Sequence, residues 1–537
     1  YGDRLQPDTY TYNALLKALS KSNRRDALNV SRQVLKDIWK AYDAGSEIVK
    51  PNHVSYSTIL YNYSRLATPN EVRDAESLFE ELWEEYYRRN DPDLLPSESA
   101  YVSLITTWIR SKKREAPARA AFYFDHMRAK HAQTGDPRFQ PSVRIYNTLI
   151  DSHKLTADGP GAEKVLRRMI EDYRGGNAKA EPTTVAFNTV MTVFMKSKDR
   201  RAPQKIEIIL SEMERLAKSE GWSCYPNTRS YTVLLEAWSS LRSQRGAARA
   251  EGILRVLQSR YETTRDENIR PCAYCYTTCI NAWSKSGSQY APDKATALFE
   301  EMMKRFEQGD EKLKPNSVTY TGILTAWSRS SRQDAPPRAL ALLNELVDRH
   351  QMDPNRFIKP DSVHYSSVID AFAEPGDVEN AEALLDRVLS PRSGVHPNPG
   401  CWNGVLKAYA KSRIFDGPER ASKLLSRMDT SEVGPDARIY TTLLEVWRSS
   451  RRNNAFQEGL RLLDEMIVQA GTRKRLQPDA GVFLILMRIL GESEEKDRNV
   501  YVEKLVGMMK QHNIKEDRAI RSAIAACESD GAEEREG

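Results

Sequence analysis

The sequence predicts an all-α solenoid of about twelve helix-turn-helix repeats. The first observation behind this is a proline followed five positions later by an aromatic residue. It occurs at Pro7, Pro51, Pro96, Pro141, Pro182, Pro226, Pro271, Pro315, Pro360, Pro397, Pro435 and Pro478, twelve of 26 prolines, where a 9% aromatic content would give about two by chance. Steps between these prolines are mostly 44 or 45 residues, with shorter ones of 41, 37, 38 and 43, a period proper to a solenoid. The second is a small residue 19 positions after the aromatic (Ala75, Ala120, Ala250, Ala295, Ala339, Ala421, Gly459), or 16 after it (Ala162, Ala381). The third is a bulky apolar residue seven further on, at Leu82, Met127, Met169, Leu257, Met302, Leu346, Met428 and Met466.

Within one repeat the elements follow in order. The proline cannot continue a preceding helix and biases its predecessor toward extended structure, so it stands just ahead of the first helix. Asn, Asp, Ser or Thr follows it in eleven of twelve repeats, as expected of a loop or near-cap residue. "YTGILTAW" places Tyr320, Ile323, Leu324 and Trp327 at i, i+3, i+4 and i+7, one face of a helix. A polar turn rich in Ser, Lys and Arg comes next. The small residue and the bulky one seven later share a face of a second, antiparallel helix, the first allowing close approach and the second burying the seam. A Gly-Asp or Pro-containing loop closes the repeat. Repeats open near residues 8, 52, 97, 142, 183, 227, 272, 316, 361, 398, 436 and 479, and the array occupies 1–517. Residues 518–537 are expected to form a partial helix and a disordered acidic tail, "ESDGAEEREG".

Composition narrows the function. The 537 residues are 40% hydrophobic and 29% charged, enough for a thin core spread along an array. A net charge of +6 permits a nucleic-acid partner. Six cysteines form no disulfide framework and suggest a reducing compartment. No apolar run approaches the roughly 18 residues of a membrane span, so no membrane partner is expected. The sequence starts at Tyr1 rather than Met, and a preceding segment with any targeting peptide is expected to be missing.

"PNSVTYTGILTAWSRS", "ATALFEEM" and "PDTYTYNALLKALSKS" resemble the pentatricopeptide repeat family over roughly residues 5 to 517. The tetratricopeptide repeat fits less well, since it lacks the terminal proline-Asp/Asn step. Family repeats are typically 35 residues; these carry about three extra residues between the helices and about six before the next proline, expected to lengthen helix ends and loops.

The resemblance implies a right-handed superhelix with the first helices on its concave face, each repeat reading one base of single-stranded RNA. Two side chains set the choice: the residue after the aromatic and the residue after the closing proline. Short polar groups there can meet a Watson–Crick edge that single-stranded RNA leaves free. Carried over, the pairs are Asn13 with Asn52, Ser57 with Ser97, Val102 with Ser142, Asn147 with Thr183, Asn188 with Asn227, and Thr232 with Cys272. They continue with Thr277 and Asn316, Thr321 and Asp361, Ser366 and Asn398, Asn403 and Asp436, Thr441 and Asp479, and end with Leu484 and Asp517. By the family's preferences repeats seven to eleven look like readers of A-G-A-U-G, and the first, fourth and fifth favour pyrimidines. Val102 and Leu484 cannot hydrogen-bond a base.

Two further sets are read from position. Two residues before the aromatic stand Tyr10, Val54, Val185, Tyr274, Val318 and Val363, alternating with Arg144, Arg229 and Arg438; such faces could sandwich bases, or merely start a helix. Nine residues after the aromatic stand Lys21, Arg65, Arg110, Lys196, Lys285, Arg329 and Lys411, cations that could neutralise phosphates or belong to a solvated turn.

No catalytic constellation is visible. Cys272, Cys275 and Cys279 lack a second half at metal spacing, and there is no His-Glu-x-x-His pair, deaminase motif or glycine-rich phosphate loop. No metal, cofactor or enzymatic activity is expected. The resemblance implies an organellar RNA binder, in mitochondrion or plastid, acting in stabilisation, processing or translation of transcripts. Its expected partners are single-stranded RNA and the organellar ribosome or processing enzymes, with the chain a monomer. The alternative is a protein-interaction scaffold or structural subunit of an organellar ribosome, without base readout.

Overall fold

A computed structural model describes residues 7–533 except 23, 25, 47, 67, 69, 70, 430–432, 472 and 496. Among the described residues there are twenty-five α-helices, seven 3₁₀ turns and no strand, and none of these helices is long and apolar enough to cross a membrane. They divide into two compact units, Tyr1–Leu241 with Gly252–Pro271, and Arg242–Glu251 with Cys272–Gly537. Each unit is an α-solenoid of antiparallel helix pairs.

In the first unit the first helices of successive repeats span Thr9–Lys21, His53–Leu66, Glu98–Arg110, Val143–Ser152, Thr184–Lys196 and Thr228–Ser239. The second helices between them are Ala27–Asp43, Val72–Arg89, Ala116–Thr134, Gly159–Arg174 and Ala202–Ser219. The sixth, Gln244–Thr264, has residues in both units. In the second unit the first helices are Ala273–Ser284, Ser317–Ser328, Ser362–Ala373, Pro399–Ser412, Ala437–Ser450 and Ala480–Glu492. They alternate with Ala291–Glu307, Ala335–Met352, Val378–Leu389, Gly417–Asp429, Ala455–Ala470 and Arg498–Gln511.

Within a unit, each first helix lies against the first helices before and after it and against the second helices flanking it. Successive second helices are bridged by long polar side chains: Arg32 to Glu81 at 2.9 Å, Arg128 to Asp172 at 3.2 Å, Arg427 to Asp386 at 2.8 Å. Such half-exposed ion pairs contribute only about 0–1 kcal/mol each. The close layer is therefore that of the first helices, and it is the layer that sets the repeat spacing.

The landmarks take their places in this packing. The recurring alanines from Ala75 to Ala421 have no exposed surface, and the bulky residues seven later are equally buried. At Gly459 even a Cβ would come within 2.7 Å of Leu486, so the small-residue position is set by a neighbouring helix. The first-helix tryptophans do more than fill space. Trp108, Trp238 and Trp283 donate their indole N–H to Glu76, Glu207 and Glu251 at 2.9, 3.0 and 3.0 Å, and Trp327 donates to Thr296 at 3.1 Å. Each acceptor sits on the second helix of the preceding repeat, so one aromatic packs a seam and pins it with a hydrogen bond.

Ahead of seven of the repeat prolines the extra residues, expected to lengthen helix ends and loops, form an element of their own. Short 3₁₀ turns occupy Pro92–Leu94, Pro137–Phe139, Ala178–Ala180, Glu267–Ile269, Glu311–Leu313, Pro391–Ser393 and Lys474–Leu476. Asp91, Asp136, Asn177 and Asp266 cap four of them through backbone N–H groups two residues on. Leu94, Phe139, Ala180, Leu313 and Leu476 are driven into the core, each two residues before a repeat proline.

At the C-terminus the final helix takes in the first part of the acidic segment. A helix runs over Arg518–Glu533, its start capped by Asp517, which accepts from the Ile520 N–H at 2.8 Å, and it packs on Ala480–Glu492. Ile520 and Cys527, ahead of the acidic segment, are the helix's buried apolar anchors. Residues 534–537 of the tail lie outside the described residues.

Candidate nucleic-acid interface

The candidate site is the row of N-terminal turns of the first helices. The residue after each proline is the N-cap of the helix that follows, with extended backbone, which accounts for the Asn/Asp/Ser/Thr preference by local chemistry alone. Asn52 Oδ1 accepts from Val54 and Ser55 at 3.0 and 3.1 Å. Asn227 accepts from Ser230 at 3.1 Å, Asn316 from Thr319 at 3.0 Å, Asn398 from Cys401 at 3.1 Å, and Asp436 and Asp479 from Ile439 and Val482 at 3.0 and 3.2 Å. Each of these caps uses Oδ1, so the second terminal atom, amide N or carboxylate O, takes no part in the cap. Capping favours Asn and Asp about equally, so it does not decide between them. Ser97, Thr183 and Cys272 hold the same place without a side-chain cap bond.

The residue after the aromatic lies one turn further along the preceding first helix, and several expected pairs meet. Asn13 Nδ2 donates to Asn52 Oδ1 at 3.4 Å and Asn188 Nδ2 to Asn227 Oδ1 at 3.2 Å, while the Ser57 and Ser97 hydroxyls are 3.3 Å apart. Thr277 reaches Asn316 through Thr319, at 2.7 and 3.1 Å. Asn403 Oδ1 instead accepts from Thr442 at 2.7 Å, and Ser366 and Thr441 back-bond to Val363 and Ala437 carbonyls. Thr321 is half-buried, Thr232 is buried, and Val102 is packed away at 4% exposed. Three groups in the fourth and fifth pairs, Asn147 Oδ1, Thr183 Oγ1 and Asn188 Oδ1, are buried with no hydrogen-bond partner among the described residues. An orphaned polar atom of this kind costs about 1–3 kcal/mol.

Residues outside the expected pairs complete the turns. Ser230, Thr319 and His364 return hydrogen bonds to the N-cap backbone N–H, making full capping boxes with Asn227, Asn316 and Asp361. Their signal in the sequence is a polar residue three after the cap. Burial pushes the Asp361 carboxyl up, but the Ser317 hydroxyl at 2.7 Å, the His364 ring and two backbone N–H groups outweigh it, holding it below its ordinary value. Asp361 is therefore an ionised acceptor near neutrality.

The positions expected to stack stand out from the turns. Tyr10, Val54, Val185, Tyr274, Val318 and Val363 are all large apolar side chains left 43–81% exposed. The seven expected phosphate contacts differ among themselves. Lys21, Lys196, Lys285 and Arg329 are exposed, with no ion pair among the described residues. Arg65 donates to the Ser20 carbonyl at 2.6 Å and Arg110 to the Arg65 carbonyl at 3.3 Å, each capping the C-terminal end of the preceding first helix. Lys411 is paired with Glu374 at 2.8 Å. Arg65 and Arg110, with Arg144, Tyr61, Thr106 and Thr148, line a recess of about 310 Å³ in the first unit.

The described residues define an α-helical repeat array of the solenoid class, with a polar pair at most helix starts and an exposed apolar or cationic side chain beside many of them. Residues 363–390 match the family model described as PPR repeat. One pentatricopeptide repeat-containing protein of Arabidopsis thaliana is 30% identical over 117 residues, 21% of this chain and 20% of that protein. Another from the same plant, described as mitochondrial, is 35% identical over 77 residues, 14% of this chain and 13% of that protein. The chain thus matches a fifth or less of these relatives' own lengths. Among solved structures, pentatricopeptide repeat protein PPR10 from maize aligns with 99% of this chain and 78% of its own at 18% identity, TM-score 0.42. The same protein in complex with an 18-nt psaJ RNA element aligns with 97% of this chain and 77% of its own, also at 18% identity, TM-score 0.38.

Proposed function

We propose that this chain binds single-stranded RNA along the N-terminal turns of its first helices, one base per repeat, and does so in organellar RNA metabolism. The observation that carries the reading is the row of exposed Tyr10, Val54, Val185, Tyr274, Val318 and Val363 along the helix-start turns, with Asn147 Oδ1, Thr183 Oγ1 and Asn188 Oδ1 left without a hydrogen-bond partner among the described residues in the fourth and fifth pairs. Burying apolar surface is favourable, so these side chains gain from a partner with flat apolar faces and polar edges. A nucleobase has both.

The chemistry of the second side chain divides the bases. A carboxylate only accepts, so Asp361, Asp436 and Asp479 suit G or U, whose Watson–Crick edges carry a ring N–H donor. They disfavour A and C, which present a bare ring nitrogen there. An Asn amide can donate to that nitrogen, so Asn316 and Asn398 suit A or C. With Thr277, Thr321, Ser366, Asn403 and Thr441 as first letters, repeats seven to eleven are assigned A-G-A-U-G. The organellar setting rests on the family and on the relative described as mitochondrial. Selection of the full chain against a random RNA pool tests the reading. Enrichment of sequences containing AGAUG supports it; binding without any sequence enrichment, or no binding, overturns it in favour of a scaffold that grips protein or ribosomal RNA without readout.

A further inference from the structure

One first helix opens differently from its siblings. At Ala273–Ser284 the N-cap is Cys272 and the third residue of the helix is Cys275. In the neighbouring repeats of the same unit these two places hold Asn316 with Thr319 and Asp361 with His364, and the capping box draws the two side chains together. The same backbone geometry here draws together two thiols: Cys272 Sγ and Cys275 Sγ are 3.8 Å apart. Cys272 is partly open to solvent, while Cys275 is buried.

We propose that Cys272 and Cys275 form a dithiol that reacts with hydroperoxides and closes to a disulfide across the first turn of the helix. The Cys272 thiolate attacks one oxygen of the peroxide, the O–O bond breaks, and the other oxygen leaves as hydroxide, leaving a sulfenic acid. The Cys275 sulfur then attacks the Cys272 sulfur, its proton passes to the departing hydroxyl, and water leaves as the S–S bond forms. Two thiols lose two electrons in all, and one hydrogen peroxide becomes two waters. Only a small approach of the sulfurs is needed, since a disulfide bond is about 2.05 Å long and a two-residue spacer at a helix start already faces both side chains the same way.

The division of labour follows from the environment. The contact with the Cys275 sulfur, with the backbone N–H groups of the helix start beside it, holds the Cys272 thiol below its ordinary value. Cys275 is pushed up by sharing its proton with Cys272 and by burial. The exposed sulfur is the nucleophile and the buried one resolves it. Cys224 and Cys401, pushed up to about 11 by burial, should be slow to react.

The experiment is peroxide titration of the reduced full chain, followed by denaturing alkylation and peptide mass mapping with and without reductant. The expected result is a segment that has lost two hydrogens, with Cys272 and Cys275 both protected from alkylation and both released by reductant. In Cys275→Ser the reaction should stop at a sulfenic acid on Cys272, trapped by a cyclic 1,3-dione, and Cys272→Ser should abolish it. Serine caps from the first of these places at Ser142 and returns the cap from the second at Ser230, so both variants keep a capable cap. Full alkylation of Cys272 and Cys275 after peroxide, or a disulfide from Cys275 to Cys279 instead, would overturn the assignment.

Discussion

His364 is fully buried at the start of its helix, its Nδ1 accepting from the Asp361 backbone N–H at 3.0 Å and its Nε2 lying 3.2 Å from the Ser317 carbonyl. Burial holds its imidazole below the ordinary value of 6.5, outweighing the nearby Asp361 carboxylate. The unfolded chain therefore takes up a proton that the folded chain refuses. This contribution to stability is intact above pH 6.5 and is lost as the pH falls below it. Urea unfolding of the second unit's helices should give a lower midpoint at pH 5.5 than at pH 7.5. In His364→Thr, which copies Thr319 of the preceding repeat, the difference between the two pH values should shrink. An unchanged difference would place the proton elsewhere. The same residue illustrates a limit of reading motifs one letter at a time. A histidine three after an aspartate looks idle in the sequence, and only the helix start makes it the return half of a cap.

Between neighbouring helices, the recurring alanines are fully buried. Ala295, on Ala291–Glu307, has no exposed surface, and Ala295→Leu must force two helices apart. Overpacking of this kind costs about 1–3 kcal/mol, to be read as a loss in the unfolding midpoint at unchanged denaturant slope. Paired helices were legible because their spacing repeats: Tyr320 to Trp327 keeps one face of a helix, and Ala295 to Met302 keeps another. The 3₁₀ turns were not, because three residues are too few for a period to show. In five of the seven their signature is an Asx five residues and an apolar residue two residues before the proline, as in "DPRFQP" and "DEKLKP". The N-cap residues were legible as polar and their neighbours as apolar. Which of these polar residues form side-chain caps needed the backbone, since capping and the proposed base reading ask for the same residue types.

Taken over the whole chain, the net charge of +6 is modest, and much of the basic content is spent internally, as in the Arg32–Glu81 and Arg128–Asp172 bridges. Binding to RNA should therefore depend on salt through a few cations. Each phosphate neutralised on a single strand contributes a slope of about −0.7 in log K against log salt, so Lys21, Lys196, Lys285 and Arg329 together predict a slope near about −3. Replacing Lys285 and Arg329 by Gln should reduce its magnitude by about 1.4, measured by fluorescence anisotropy over a salt series. A slope unaffected by both changes would move the phosphate path away from these side chains.

The central claim is that the side chain after the proline both caps a helix and selects a base, and Asn316→Asp separates the two roles. Aspartate caps as well as asparagine, so the unfolding midpoint of the variant should match that of the parent chain. Its carboxylate cannot donate to adenine's ring nitrogen, so selection from a random RNA pool should exchange A for G at the one base assigned to repeat seven and leave the flanking G-A-U-G unchanged. Unaltered preference at that base in a stably folded variant would contradict the account.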